Sequence, residues 1–353
     1  MRHPATRPRA RVPVVGLSVL ALTLLLPSVA AEGSSRDRYE WAALGDSYTA
    51  GLFVGDPRPP LGSAARDGCD RTTGSYPDLV GRALAARPPD RPVHLTDVSC
   101  DNAAIGHITR ERQQPTSQVQ PPDGDPAGWP VVDPQLRRAR LGDRTDIVTV
   151  GIGAIALPFG ECLDLTLAHI SCAAYYTNPP EGVEDLDAKL ARIRDEYARM
   201  LGAIHRAAPH ARVITVGYPA ILPERGSACG GGPTQLGPIT PADIDWLRED
   251  ALKAMNTIIR TETAKRGDRY VDRYTSSVGH DVCAPEDTQW IEGICGDAEP
   301  FWPATVPGGL PFDCTAIGKR ATLLHPNARE HANAAPLVER AVRDALLERV
   351  VVM

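Results

Sequence analysis

The sequence predicts an α/β protein whose central parallel sheet is covered by helices on both faces. Two observations support this prediction: short apolar segments of strand length recur along the chain, and segments with helical spacing lie between them. The predicted strands are residues 39–45, 93–99, 146–153, 211–217 and 268–271. The third contains Ile147-Val148-Thr149-Val150, which is β-branched throughout and typical of a buried strand.

Helices are predicted where apolar residues recur at helical spacing. These segments are residues 76–84, 186–201, 241–265 and 328–350. Loops are predicted where proline and glycine accumulate. They are residues 113–134, 227–238 and 299–311. Because no internal repeat divides the chain, these loops are expected to decorate one domain rather than to separate two.

Residues 1–31 are predicted to be a signal peptide. Four arginines precede an apolar run over residues 12–26, and Ser28-Val29-Ala30 offers small residues for cleavage. A membrane anchor is the alternative, but the apolar run is short for a helix that spans a bilayer. The chain is therefore expected to be secreted, with a single domain over residues 32–353.

The charge of the mature chain excludes some classes of partner. Removal of residues 1–31 takes away four arginines and no acidic residue, so the formal net charge falls from −6 to −10. Such an acidic protein is a poor candidate for binding nucleic acid or anionic membranes. No other segment is apolar enough to span a bilayer, so no stable membrane insertion is expected after cleavage.

Eight cysteines are expected to form disulfides, because an even number in an exported protein is typical of a disulfide framework. They are Cys69, Cys100, Cys162, Cys172, Cys229, Cys283, Cys295 and Cys314. Spacing alone cannot choose among the 105 connectivities that eight cysteines permit. The chain has no Cys-x-x-Cys pair, which argues against a zinc knuckle or a redox motif.

The segment Gly45-Asp46-Ser47-Tyr48-Thr49-Ala50-Gly51 follows the first predicted strand. A serine on a tight strand-to-helix turn exposes its hydroxyl, and its own N–H is free to stabilise an anion. Ser47 is therefore a candidate nucleophile, although the sequence is not Gly-x-Ser-x-Gly. The alternative interpretation is an ordinary glycine-rich turn.

A serine nucleophile needs a base, and His325 is the candidate among nine histidines. It follows Leu323-Leu324, and Pro326-Asn327 then opens the last predicted helix, so its ring is held at a helix entrance. A structural or solvated role is the alternative for any single histidine. Ligands bind beyond the carboxyl ends of strands in an open parallel sheet, where residues 99–103 and 151–156 also lie.

Together these segments resemble the SGNH/GDSL hydrolases, in the branch of secreted actinobacterial-type esterases and lipases. The matching segments are residues 45–47, 98–100, 148–153, 279–283, 290–291 and 325–327. The resemblance implies a flavodoxin-like three-layer sandwich with a five-stranded parallel sheet. It also implies the disulfides Cys69–Cys100, Cys162–Cys172 and Cys229–Cys283, which leaves Cys295–Cys314 as a fourth pair.

The chain departs from the family pattern at three places. Asn102 replaces a glycine whose N–H joins the oxyanion hole. Ala154-Ile155-Ala156 replaces Gly-Asn-Asp, so Ile155 stands where an asparagine side chain supplies a donor, a loss that costs on the order of 10²–10³ in rate. Thr322 replaces the acid that orients the histidine, and its backbone carbonyl is expected to take over that task.

The resemblance implies a secreted carboxylic-ester hydrolase that acts on a small-molecule, lipid or glycan ester through Ser47 and His325, with no metal or organic cofactor. The N–H groups of Ser47 and Asn102 are expected to hold the oxyanion, with the Asn102 side chain as a substitute for the missing asparagine. Two alternatives remain: a catalytically impaired protein that binds exported glycans or lipids, and an acyltransferase that uses the same serine.

Overall fold

Five parallel strands form the centre of the protein in the computed structural model, which describes residues 37–117, 119, 121, 128–305 and 313–351. The strands are β1 Tyr39–Gly45, β2 Val93–Asp97, β3 Ile147–Gly151, β4 Arg212–Val216 and β5 Arg269–Val271. Their order in the sheet is β2-β1-β3-β4-β5. The predicted sheet is confirmed, whereas the signal peptide lies outside the described residues and the boundary at residue 32 stays a prediction.

Eleven α-helices connect or flank these strands in the described residues. They are α1 Ser47–Ala50, α2 Tyr76–Ala86, α3 Ile105–Thr109, α4 Gln135–Arg138, α5 Phe159–Leu167, α6 Cys172–Thr177, α7 Leu186–Ala207, α8 Pro241–Trp246, α9 Ala254–Ala264, α10 Tyr274–Ser277 and α11 Ala328–Val351. A two-stranded antiparallel sheet pairs β6 Cys295–Gly296 with β7 Arg320–Ala321. The helix predicted over 241–265 contains a π-helical segment, Leu247–Lys253, between α8 and α9.

The sheet separates two hydrophobic cores, because successive side chains of a strand point to opposite faces. On one face Trp41 and Ile147 pack in a buried cluster with side chains of α2 and α11. On the other face Leu44 and Val148 pack with side chains of α7 and α9. This arrangement gives the three layers that the sequence predicts. None of the described helices combines the length and the apolar composition that a bilayer span requires.

Four disulfides join the eight cysteines in the pairs given above. Cys69–Cys100 links the chain after α1 to the chain after β2, at a sequence separation of 31 residues. Cys229–Cys283 and Cys295–Cys314 hold the longer loops of the second half. These disulfides therefore join loop segments to one another by covalent bonds as well as by packing.

The strand order reverses between β1 and β3, and the crevice at such a switch point is where open α/β sheets bind ligands. Gly45 and Gly151 are paired at the ends of these two strands. The Gln135 side chain completes this end of β1: its Oε1 accepts from the Gly45 N–H and its Nε2 donates to the Gly45 carbonyl, each at 2.8 Å. The first residue of α1 therefore starts directly at the crevice.

A glycine is required at position 45 because of this close approach. A Cβ added there would lie 2.5 Å from the Gly151 carbonyl oxygen and would also contact the Thr49 side chain. The Thr49 side chain belongs to α1, which begins at Ser47, and the Gly151 oxygen lies at the end of β3. A side chain at this position would therefore push the turn away from β3.

We expect Gly45→Ala to lower the free energy of unfolding by about 1–3 kcal/mol, the usual cost of overpacking a filled site. Denaturant unfolding of the purified protein measures this change. Gly142→Ala is the matched control, because a Cβ at Gly142 has no heavy atom within 4 Å among the described residues. Equal stability of the two variants would contradict the prediction.

Candidate active site

Ser47 is the first residue of α1 and directly follows the Asp46 N-cap, whose side chain accepts from the Tyr48 N–H. Its Oγ lies 2.8 Å from His325 Nε2, although 278 residues separate the two in the sequence. As the first residue of a helix, Ser47 has no intrahelical partner for its N–H. Within the described chain, no acceptor for this N–H is present. The structure thus brings together the two residues that the sequence nominated as nucleophile and base.

The second ring nitrogen of His325 fixes the tautomer. Nδ1 lies 2.8 Å from the backbone carbonyl oxygen of Thr322. A carbonyl can only accept, so Nδ1 carries the proton and the neutral ring presents a lone pair at Nε2. The Ser47 hydroxyl then donates to Nε2, which is the arrangement a general base requires.

The turn that carries His325 has an unusual backbone. Leu323 and Leu324 have φ angles of 49° and 63°, in the left-handed region that residues other than glycine rarely adopt. Several hydrogen bonds hold this conformation: Leu323 N–H donates to Ile294 O, and the Tyr48 hydroxyl donates to Leu324 O at 2.6 Å. Contacts from Ile294 and from Tyr48 therefore stabilise the turn, which places the Thr322 carbonyl oxygen within hydrogen-bond distance of His325 Nδ1.

Aromatic rings surround His325. The Tyr48 ring lies 5.3 Å from the imidazole, and Phe53 meets it edge-on at 5.4 Å between centroids. Desolvation lowers the pKa of His325 to about 4, opposed by the hydrogen bond from Nδ1 to Thr322. The ring is therefore neutral, and ready to accept a proton, at neutral pH.

The Asp46 carboxylate is buried and connects Ser47 to the loop after β3. Its Oδ2 accepts from the N–H groups of Gly153 and Ala154, each at 3.2 Å, and from the Tyr218 hydroxyl. The Tyr218 oxygen also accepts from Ala154 N–H at 2.6 Å. Burial raises the pKa of Asp46, and these hydrogen bonds, together with that from Tyr48 N–H, oppose the rise.

Ile155 lies in a 3₁₀ turn, Ala154–Ala156, and remains 47% exposed. Its side chain lines a cavity of about 690 Å³ that also contains Ser47. The loop is anchored through backbone groups to Asp46 and Tyr218, so its conformation does not depend on a polar side chain at 155. The cavity wall is therefore apolar where the resemblance leads one to expect an asparagine.

Asn102 lines the same cavity and has a φ angle of 56°. Asparagine is, after glycine, one of the residues that tolerate this left-handed conformation, which explains how it can stand where the family has glycine. Its backbone N–H lies near the Asp101 carboxyl group and opposes the rise that burial causes in the pKa of that group. Its side-chain amide has no hydrogen-bond partner in the part of the chain that the structure describes. The amide is therefore a donor available to a ligand.

Sequence reasoning gave no role to three residues that the structure places at the site: Asp46, Tyr48 and Tyr218. The first two lie inside the motif that flagged Ser47. Tyr218 directly follows the predicted fourth strand, so the rule that ligands bind at carboxyl strand ends could have found it. No group of three His, Cys, Asp or Glu side chains that could hold a metal ion occurs in the described residues.

Comparison with known proteins identifies the family. The model of the GDSL-like lipase/acylhydrolase family matches residues 43–332. The chain belongs to this family. It is 31% identical over 308 residues to lipase 2 of Streptomyces coelicolor, covering 83% of this chain and 90% of that one. It is 26% identical over 295 residues to an esterase of Streptomyces scabiei, covering 79% and 82%.

Two crystal structures support the fold. Phospholipase A1 from Streptomyces albidoflavus NA297 matches with a TM-score of 0.55 and 18% identity, and the match covers 86% of this chain and 99% of that chain. The extracellular lipase from Streptomyces rimosus matches with a TM-score of 0.52 and 20% identity, with the same coverage. The predicted flavodoxin-like α/β fold and the predicted branch of the family are confirmed.

The low pKa of His325 gives a testable pH dependence. The neutral ring activates Ser47, so the rate of Ser47 modification by a fluorophosphonate should rise with pH through an inflection near 4 and be constant from pH 6 to 8. Phe53→Ala removes one desolvating ring and should move the inflection towards the ordinary histidine value of about 6.5. An inflection near 6.5 in the native protein would contradict the assignment.

Proposed function

We propose that this protein is a secreted carboxylic-ester hydrolase that acts through Ser47 and His325. The observation that carries the proposal is the chain of contacts from Ser47 Oγ to His325 Nε2, at 2.8 Å, and from His325 Nδ1 to the Thr322 carbonyl, also at 2.8 Å. Membership of a family of lipases and acylhydrolases supports the reaction class. The relatives described above are a lipase and an esterase.

In the proposed mechanism Ser47 Oγ attacks the ester carbonyl while His325 Nε2 takes the serine proton. The tetrahedral intermediate collapses when the protonated ring gives this proton to the leaving alcohol. Water then attacks the acyl-serine, with His325 again as the base, and releases the acid. The Thr322 carbonyl holds Nδ1–H throughout and keeps the ring in the orientation that both steps need.

The oxyanion is proposed to be held by the N–H groups of Ser47 and Asn102 and by the Asn102 side-chain amide. Asn102 lines the cavity beside Ser47, and its amide has no partner among the described residues. Ile155 supplies no side-chain donor. The proposal therefore moves the third donor of the family from position 155 to position 102.

Export is proposed from the predicted signal peptide and the disulfides. Four disulfides are typical of proteins that mature in an oxidising compartment. Small-molecule, lipid or glycan esters are the proposed substrates, without a nucleic-acid partner and without a cofactor. The mature chain is acidic, which disfavours polyanionic partners.

The apolar Ile155 favours one alternative, a catalytically impaired relative that binds its ligand without cleaving it. An acyltransferase would use the same serine and release no free acid. Product analysis separates the three: a hydrolase releases the acid, a transferase needs an acceptor alcohol, and a binding protein does neither.

We expect Ser47 to be the serine that a labelled fluorophosphonate modifies in the purified mature protein. Ser47→Ala should abolish both this label and the hydrolysis of a short-chain p-nitrophenyl ester, because the Ser47 hydroxyl forms the acyl intermediate in the proposed mechanism. Ser63→Ala, on a loop outside the cavity, is the control and should behave as the native protein. Labelling that persists in Ser47→Ala, located by peptide mapping, would show that the nucleophile is misassigned.

Asn102→Gly tests the relocated donor. Glycine keeps the φ angle of 56° without strain and removes only the side chain. We expect kcat to fall by about 10²–10³ with little change in KM, because the amide acts on charge that develops in the transition state. Ile155→Asn should then change kcat little. The assignment fails if Asn102→Gly is harmless and Ile155→Asn raises kcat, since the donor site would then be vacant rather than relocated.

A further inference from the structure

Two cavities meet at His325. The first, of about 690 Å³, contains Ser47 and Asn102, and we call it the serine cavity. The second, of about 1180 Å³, is lined by residues that include Thr234, Ala284 and Asp297, and we call it the polar groove. His325 and Phe53 line both. Ser47 lines only the first, so Phe53 and His325 form the boundary between the two spaces.

The chemistry of the reaction assigns one side of the ester to each space. His325 Nε2 must pass its proton to the leaving oxygen, so the alcohol lies on the histidine side of the reacting carbon. The oxyanion and acyl carbon lie beside Ser47 and Asn102. We propose, resting on the function proposed above, that the serine cavity binds the acyl group and that the polar groove binds the alcohol part of the ester.

The walls of the serine cavity suit an apolar acyl chain. Its lining includes Leu52, Trp129, Ile155, Leu157 and Phe159. Ile155 contributes apolar surface at the place where the family pattern has a polar amide. An alkyl chain in this space removes apolar area from water on both partners, which stabilises the complex.

The polar groove has a different chemistry. Its charged lining residues are Glu286, Asp287, Glu292, Asp297, Glu299, Lys319 and Arg329. Three of these groups pair with one another, and a fourth pairs with an asparagine. Lys319 Nζ binds Glu286 at 3.0 Å and Asp297 at 2.9 Å, and Glu292 accepts from Asn327 Nδ2 at 2.9 Å. The groove thus presents ordered donors and acceptors side by side, with more carboxylates than cations.

A neutral polyhydroxylated alcohol fits these walls. Hydroxyl groups both donate and accept, so they can pair with carboxylates and with the ammonium or guanidinium groups between them. The excess of carboxylates disfavours an alcohol that carries a phosphate. The volume exceeds the 300–1,000 Å³ or so of pockets that enclose drug-sized ligands, which leaves room for a sugar of more than one ring. The inferred substrate is therefore an ester of an apolar acid with a sugar-like polyol.

A series of esters with one acyl group tests this inference on the native mature protein. The substrates are methyl octanoate, sucrose monooctanoate, octanoylcholine and octanoyl-glycerol-3-phosphate. We expect kcat/KM for the sucrose ester to exceed that for the methyl ester by about tenfold, the effect of one or two net hydrogen bonds, and the phosphate ester to be poorest. A choline ester preferred to the sucrose ester, or equal rates for the sucrose and methyl esters, would overturn the inference.

Variants of the groove test its location. Ala284→Trp fills part of the groove and should raise KM for sucrose monooctanoate about tenfold more than KM for methyl octanoate. Ala64→Trp, at an exposed position outside both cavities, is the matched control. Asp287→Lys is a second variant at an exposed position, and it should improve the phosphate ester relative to the sucrose ester. If Ala284→Trp leaves the ratio of sucrose to methyl ester unchanged and Asp287→Lys leaves the ratio of phosphate to sucrose ester unchanged, the alcohol does not bind there.

Methyl octanoate separates failure of this inference from failure of the proposed function. Hydrolysis of the methyl ester that is lost in Ser47→Ala supports the hydrolase whatever the groove does. Absence of hydrolysis of every ester in the series contradicts the function itself. Hydrolysis of the methyl ester without a preference for the polyol contradicts only the inference.

Discussion

The buried Asp46 carboxylate is the group on which the rest of the site depends. It accepts from Tyr48 N–H in the serine turn, from Gly153 and Ala154 N–H in the loop after β3, and from Tyr218 beyond β4. Burial of a carboxylate is costly unless it is well hydrogen-bonded, and this set of donors satisfies it. The carboxyl ends of β1, β3 and β4 are thereby fixed relative to one another, and Ser47 is fixed with them.

The histidine is coupled to the same network through Tyr48. The Tyr48 ring packs edge-on against Tyr218 at 5.4 Å, and the Tyr48 hydroxyl donates to the Leu324 carbonyl. Leu323 and Leu324 adopt left-handed conformations that cost about 1–3 kcal/mol each, and such strain persists only where surrounding contacts over-determine it. The strained turn brings the Thr322 carbonyl to Nδ1, so a backbone group performs the orienting task without an acidic side chain.

The sequence predicted what depends on local pattern. Short apolar segments predicted the five strands, and the glycine-flanked turn after the first of them led to Ser47. The sequence could not predict contacts between distant segments, such as the contact of Tyr218 with Asp46, because no local pattern indicates them. Position 102 was identified from the family pattern, but its φ angle and its place in the cavity beside Ser47 required the structure. The π-helical segment in the 241–265 helix was missed because its residues keep helical spacing.

Two of the three departures from the family pattern, at positions 102 and 155, are explained together. The loop at 153–155 does not need the asparagine for its conformation, because Asp46 and Tyr218 hold its backbone, so position 155 is free to become apolar. The glycine position in the second segment needs a left-handed residue, and asparagine satisfies this while adding an amide to the same cavity. In the proposed mechanism one substitution removes a donor at position 155 and the other supplies one at position 102. The exchange leaves the cavity more apolar at position 155 than an asparagine would allow.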